Sequence, residues 1–309
     1  MNIPECLKNP NYRSVPAKGD VGPDENWQRL DPSNVICYEN RYYIVYTKAV
    51  ARTNLYHGTV WCAVSDDGQH WTELHEVLDR GSGDAWDNFG VITPYLVSWE
   101  GKFYLFYTAS HEKEGEPWAV RGENNKRAIG VAVADSPTGP YVRCFDKPIL
   151  APGPEPAWDS YLVDDTHILY REGKFWLYFK GGDKHVTAQT TRWGVAFSDS
   201  LTGPYTKFDG NPFIDSGHTV CVWKQGTGVA ALVDDAGPQA HTAQYSEDGI
   251  HFVKTADVPG GVDVGCGPYD PAAHEDVDWA KGVSWGMTAK TTAEVPYLMR
   301  FDVDCQTEE

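Results

Sequence analysis

Short apolar runs alternate with polar turns along the whole chain, and no stretch sustains a helical period. The clearest phrase is Val163-Asp164-Asp165-Thr166-His167-Ile168-Leu169-Tyr170, a charged turn Arg171-Glu172-Gly173-Lys174, and the run Phe175-Trp176-Leu177-Tyr178-Phe179. Two apolar runs joined by a Gly-containing turn predict a buried strand hairpin, here with polar groups at the mouth of its first strand. The phrase recurs as Asp31-Pro32-Ser33-Asn34-Val35-Ile36 ahead of Tyr42-Tyr43-Ile44-Val45-Tyr46, and as Thr93-Pro94-Tyr95-Leu96-Val97 ahead of Phe103-Tyr104-Leu105-Phe106-Tyr107.

Further strands follow each hairpin. The turn Ser136-Pro137-Thr138-Gly139-Pro140-Tyr141 returns almost verbatim as Ser200-Leu201-Thr202-Gly203-Pro204-Tyr205, and Ser65-Asp66-Asp67-Gly68 is echoed by Ser246-Glu247-Asp248-Gly249. The units run from Asp31 to about Leu78, from about Asp87 to Leu150, from Asp159 to Ile214 and from Ser216 onward. A less regular fifth unit has strands at Gly282 to Met287 and Tyr297 to Phe301. Five units of about four short strands predict an all-β fold, a five-bladed β-propeller. It is read as a single domain over 1–309, with residues 1–28, rich in Pro and Gly, as an irregular lead-in. A β-sandwich is the alternative, but its strands do not recur as a four-strand phrase.

In a propeller the first strand of every blade lines the axis, so equivalent mouth positions form a ring. Counting back ten from each second strand gives Thr93, Asp165 and Thr219, and eleven gives Asp31. The same count in the fifth unit lands on Ala273, beside His274 and Glu275. The predicted ring is therefore Asp31, Thr93, Asp165, His218 with Thr219, and His274 with Glu275. An Asp before a strand is often only a turn cap, and a single His is more often structural. Their equivalence under the repeat is what favours function.

The charge balance narrows the ligand. With 26 basic and 44 acidic residues the net charge is −18, which repels nucleic acid and anionic membrane surfaces. Aromatics reach 13 %, with 12 Trp and 17 Tyr, enough to build both blade interfaces and a sugar platform. A rim containing Trp61, Trp86, Trp158, Trp193 and Trp223 is expected. Carboxylates and a histidine inside such a rim suit glycoside hydrolysis, in which inversion needs a base and an acid on the order of 6.5–9.5 Å apart. The seven cysteines lack CxxC spacing and read as reduced and structural. No signal-peptide pattern and no apolar run of about 18 residues occurs, so a soluble cytoplasmic protein is expected. Gly181-Gly182-Asp183-Lys184-His185 reads as a rim loop, and Arg121 to Arg127 as a solvated insertion.

The blade-opening motifs Asp31-Pro32-Ser33-Asn34-Val35-Ile36, Phe89-Gly90-Val91-Ile92-Thr93-Pro94, Val163-Asp164-Asp165-Thr166-His167 and Ser216-Gly217-His218-Thr219-Val220-Cys221-Val222-Trp223 resemble those of glycoside hydrolase family 117. That family contains the 3,6-anhydro-α-L-galactosidases and is related to the five-bladed families 43 and 32. The resemblance implies Asp31 as general base, Asp165 as the carboxylate that orients substrate or tunes the acid, and His218 as a histidine general acid. Thr93, Asp164, His167, Thr219, Trp193 and His274 are the expected substrate contacts. The family places Glu directly after that His; this chain has Thr219. A free imidazole needs a neighbouring carboxylate to act as an acid at neutral pH, and Asp165 is the expected partner.

No cofactor is required. The resemblance allows a divalent cation in the axial channel, near Asp164, His274 or Glu275, although no ligand spacing identifies a metal. The expected function is exo-acting, inverting hydrolysis of a terminal 3,6-anhydro-L-galactose or related sugar from red-algal galactan oligosaccharides, with a homodimer allowed. Two alternatives stand: an arabinofuranosidase or xylosidase of the family 43 type, and a non-catalytic sugar-binding propeller.

Overall fold

A computed structural model describes residues 2–113, 125–215 and 217–305. Side-chain alternation along the strands decides the architecture. In Lys174–Gly182, Phe175, Leu177 and Phe179 enter one apolar cluster while Trp176 and Tyr178 enter another. In Arg41–Val50, Tyr43 and Val45 face one cluster, Ile44 and Tyr46 the next. Successive residues point to opposite faces, so a strand apolar on both faces must be covered on both. Here each sheet is covered by its two neighbours.

Five small sheets form a five-bladed β-propeller. The second blade is Gly90–Trp99, Lys102–Ser110, Ala128–Ala134 and Val142–Arg143; the third is Leu162–Arg171, Lys174–Gly182, Arg192–Ser198 and Thr206–Lys207. The fourth is Val220–Gln225, Gly228–Val233, Thr242–Ser246 and Val253–Asp257. The first blade is larger, because Trp27–Leu30 and Ile36–Tyr38 both pair with Arg41–Val50 and Lys18–Gly19 joins the far edge. Five apolar clusters each join two adjacent blades.

Two expectations are corrected. Residues 1–28 are not an irregular lead-in: Pro10–Pro16 is the outermost strand of the fifth blade, antiparallel to Leu298–Cys305, so the two ends of the chain close the ring together. The inner strand of that blade is the two-residue Gly267–Pro268, joined to Trp285–Ala289 by a long connection. Counting ten residues back from its second strand therefore fell inside the connection, and Cys266, not His274 or Glu275, stands at the blade mouth. Among the described residues no helix is long and apolar enough to cross a membrane. Cys37, Cys62, Cys144, Cys221 and Cys266 are free thiols.

Candidate active site

The inner strands of the first three blades break at the same place. Asp31 separates the two inner segments of blade one; pairing slips between Ile92 and Tyr95 in blade two, and between Asp164 and His167 in blade three. Asp31, Thr93 and Asp165 take left-handed φ values of 48°, 45° and 50°. A bulge re-aims one side chain out of the pleat, and a non-glycine residue held at such φ costs about 1–3 kcal/mol, which persists where surrounding structure enforces it. Cys266, at φ 57°, holds the corresponding place in blade five. All four residues line one cavity of about 210 Å³.

One wall of this cavity is tightly wired. Asp164 is fully buried; Arg127 Nη1 donates to its Oδ2 at 2.6 Å, and the Asp165 amide to its Oδ1 at 2.9 Å. Thr93 Oγ1 lies 3.1 Å from the same Oδ1. Burial alone would raise the Asp164 carboxyl, but Lys180 and Arg127 hold it well below the usual carboxylate range. Lys180 Nζ also donates to Asp165 Oδ2. Burial and the Asp164 charge nonetheless push Asp165 up, against the pull of Lys180. Asp31 is pushed up to about 7, first by burial and then by the Asp165 charge. Thr47 Oγ1 donates to Asp31 at 3.2 Å and accepts the Thr93 amide at 2.9 Å, tying the first two bulges together.

The opposite wall comes from blade four and is open to solvent. His218 and Asp235 side chains are 40 % and 44 % exposed, and Nδ1 lies 3.4 Å from Asp235 Oδ1, an ion-pair distance without hydrogen-bond alignment. The His218 amide donates to the Asp235 carbonyl at 3.0 Å, and the Asp234 amide to the Thr219 carbonyl at 2.9 Å. Burial tends to raise Asp235, yet His218 and Thr219 hold it below its usual value. Burial and the neighbouring Asp235 charge push Asp234 up to about 8. The carboxylate facing His218 is thus Asp235, from the end of the next strand of the same blade; Asp165 acts on His218 only as a more distant charge.

The other expected contacts divide. Thr93, Asp164, His167 and Thr219 line the cavity. The His167 ring lies 5.0 Å from Tyr95 and 5.7 Å from Trp193, and burial pushes it down to about 3. Trp193 is fully buried, its Nε1 donating to the Gly217 carbonyl at 2.9 Å, so it braces the His218 loop instead of meeting a sugar. His274 is off the cavity, edge-on to Tyr95 at 6.4 Å, with burial pushing it down to about 3.

The expected tryptophan rim is also absent from the cavity. Trp61, Trp86, Trp158, Trp193 and Trp223 each sit in a different blade interface. Gly130 and Gly194 make room for two of them, since a Cβ would come within 2.8 Å of Trp86 and 2.9 Å of Trp158. The aromatic lining is Tyr56 and Tyr95.

The donors named for an axial cation do not fit one: Asp164 is engaged by Arg127 and Lys180, and His274 and Glu275 do not line the cavity. Among the described residues no group of three His, Cys, Asp or Glu side chains is placed to hold a metal ion.

Arg127, Lys180, Asp234 and Asp235 were not singled out as site residues from the sequence. Each left a trace: a charge at the edge of an apolar strand run. Lys180 follows Phe175 to Phe179 and pairs across the hairpin with Asp164. Arg127 was read as part of a solvated insertion; its carbonyl instead accepts the Val163 amide at 3.1 Å, which brings its guanidinium to Asp164. Residues 121–124 of that stretch lie outside the described residues.

The family model described as glycosyl hydrolases family 43 matches residues 26–192, just over half of the chain. The chain belongs to that family. The match includes Asp31, Arg127, Asp164, Asp165 and Lys180 and ends before His218. This family 43 member is 31 % identical over 107 residues to xylosidase/arabinosidase 43A of Humicola insolens, covering 35 % of this chain; the match spans about a quarter (27 %) of that curated relative's length. Its structure resembles Zg3597, a family 117 glycoside hydrolase produced by the marine bacterium Zobellia galactanivorans. The TM-score is 0.85 at 28 % identity, over 99 % of this chain and 94 % of that one. The family 117 resemblance seen in the blade motifs therefore extends over nearly the whole fold. A GH43_1 enzyme from Xanthomonas citri shares the fold, at TM-score 0.58 and 16 % identity over 94 % of this chain and 90 % of that one.

Proposed function

We propose that the protein is an exo-acting, inverting glycoside hydrolase of the family 117 type, releasing a terminal 3,6-anhydro-L-galactose or related sugar from red-algal galactan oligosaccharides. The observation that carries this reading is that Asp31, Asp165 and His218, from three blades, line one cavity. At about 210 Å³ it is smaller than the ~300–1,000 Å³ of a drug-sized pocket and suits a single terminal ring.

In this reading Asp31 takes a proton from the water that attacks the anomeric carbon. His218, as imidazolium, gives its Nε2 proton to the departing glycosidic oxygen as that bond breaks. A base is most effective when its pKa lies near working pH, and burial beside Asp165 brings Asp31 to about 7. Asp165, held by Lys180, is the substrate-orienting carboxylate. Asp235 supplies the negative charge beside His218 that position 219 lacks, which removes the motive for a non-catalytic propeller.

The second reading is an arabinofuranosidase or xylosidase with a carboxylic acid as proton donor. Asp234 supports it, since it lines the same cavity and is protonated near neutrality at a value of about 8. Neoagarobiose, red-algal galactan fragments, aryl arabinofuranosides and aryl xylosides should be tested together for released monosaccharide. Release of anhydrogalactose is the expected result. Release of arabinose or xylose alone would favour the second reading.

A further inference from the structure

A second lobe of about 160 Å³ adjoins the first, sharing Tyr56, Arg127, Lys180 and His218 with it. The two lobes have opposite electrostatic character. Among the described residues, the first is lined by Asp31, Asp164, Asp165, Asp234 and Asp235, whereas the second has Arg127, Lys180 and His218 and no Asp or Glu. In a chain of net charge −18, a lobe whose described lining is cationic and neutral is contrary to the general field.

We propose that this second lobe is a subsite for a leaving sugar that carries an oxyanion, either a sulfate ester or a carboxylate. The inference rests on the reading of His218 as proton donor, because a donor shared by both lobes puts the broken bond at their junction. Arg127 is the principal anion contact. Only its Nη1 is used by Asp164, its guanidinium lies over the Tyr56 ring at 4.9 Å, and a guanidinium has five N–H donors suited to planar and tetrahedral oxyanions. Lys180 is committed to Asp165, and Asp164 offsets part of the Arg127 charge. The preference expected is therefore about tenfold, not thousandfold. Ala188, on the short turn Ala188–Thr190, lines this lobe and not the first.

The test is calorimetric binding of galactose 6-sulfate, galacturonate and galactose to Asp31→Asn protein, with and without Ala188→Glu. Both anionic sugars, or one of them, should bind about tenfold tighter than galactose. That preference, read as the ratio of anionic to neutral sugar affinity in each protein, should fall at least fivefold at about 0.5 M salt and in Ala188→Glu. A sulfate preference identifies a sulfated leaving sugar, a carboxylate preference a uronic acid. Equal affinity for all three sugars, or a preference that survives Ala188→Glu in a protein of unchanged circular dichroism and melting point, overturns the subsite. Turnover of neutral neoagarobiose without any anion preference sinks this inference and leaves the catalytic reading standing. An anion preference in a protein that hydrolyses no glycoside sinks the catalytic reading and the leaving-group role with it.

Discussion

The two walls of the cavity are built on different principles. On the wall from blades one to three, Asp164 is fully buried and Lys180 is 5 % exposed, Asp165 is held by Lys180, and bulged backbone fixes each carboxylate. On the blade-four wall, His218 and Asp235 are 40 % and 44 % exposed and meet at 3.4 Å without alignment. The family 43 match covers the first wall and stops before the second. A base that must hold a water against one face of a sugar benefits from rigidity, since small misplacements are costly. A proton donor must be recharged from solvent in every cycle, so partial exposure suits it. In the proposed reading, the part of the chain that the family 43 match covers supplies the fixed half of the chemistry, and blade four, beyond that match, supplies the exposed half, with Thr219 directly after its histidine.

The sharpest way to break this contrast is Asp31→Asn. The amide keeps shape and hydrogen bonding but cannot accept a proton, so kcat should fall by about 10²–10⁴ with substrate binding nearly intact. Steady-state kinetics paired with binding calorimetry would decide, and undiminished turnover would return Asp31 to a turn cap. The pH profile sharpens the same point. Asp31 must be ionised to act, so kcat/KM should drop as pH falls through about 7, and a flat profile down to pH 5 would exclude it as the base.

A smaller effect is expected on the other wall. Asp235→Asn removes the carboxylate that faces His218 at 3.4 Å, so kcat/KM should fall by about fivefold, the scale of a partly exposed ion pair. Unchanged kcat/KM in Asp235→Asn would show that the 3.4 Å contact plays no part in the reaction.

The smallest effect concerns stability. The folded protein holds a proton on Asp31 up to about pH 7, far above an ordinary carboxyl, because burial disfavours its charge. Its contribution to stability is therefore full below about pH 4 and lost as pH rises through about 7. Asn at this position carries no charge at any pH. Asp31→Asn should raise the melting temperature by a few degrees at pH 8 and leave it unchanged near pH 4, as measured by calorimetry.

Much of this was legible in the residues. The blades were, because strands such as Phe175 to Phe179 are apolar on both faces and recur with their turns. The mouth positions Asp31, Thr93, Asp165 and Thr219 followed from one count, since each hairpin of blades one to four has nearly the same length. Blade five escaped that count because its inner strand is two residues long and its connection is not a hairpin. The tryptophans misled because abundance does not say whether a ring faces a neighbour blade or a ligand. Asp235 was missed as the partner of His218 because it comes from the far end of the adjacent strand, a contact made by strand pairing and invisible to a count along mouths.

The central claim, a fixed base facing an exposed histidine acid, is tested most directly by His218→Gln measured against leaving-group acidity. Rates should be compared for a natural oligosaccharide and for nitrophenyl glycosides of the same terminal sugar. An alkoxide leaving group needs a proton and a nitrophenolate does not, so the variant should lose about 10²–10⁴ on the oligosaccharide and less than about tenfold on the nitrophenyl glycoside. Equal losses on both substrates would contradict an acid role for His218 and, with it, the division of labour between the two walls.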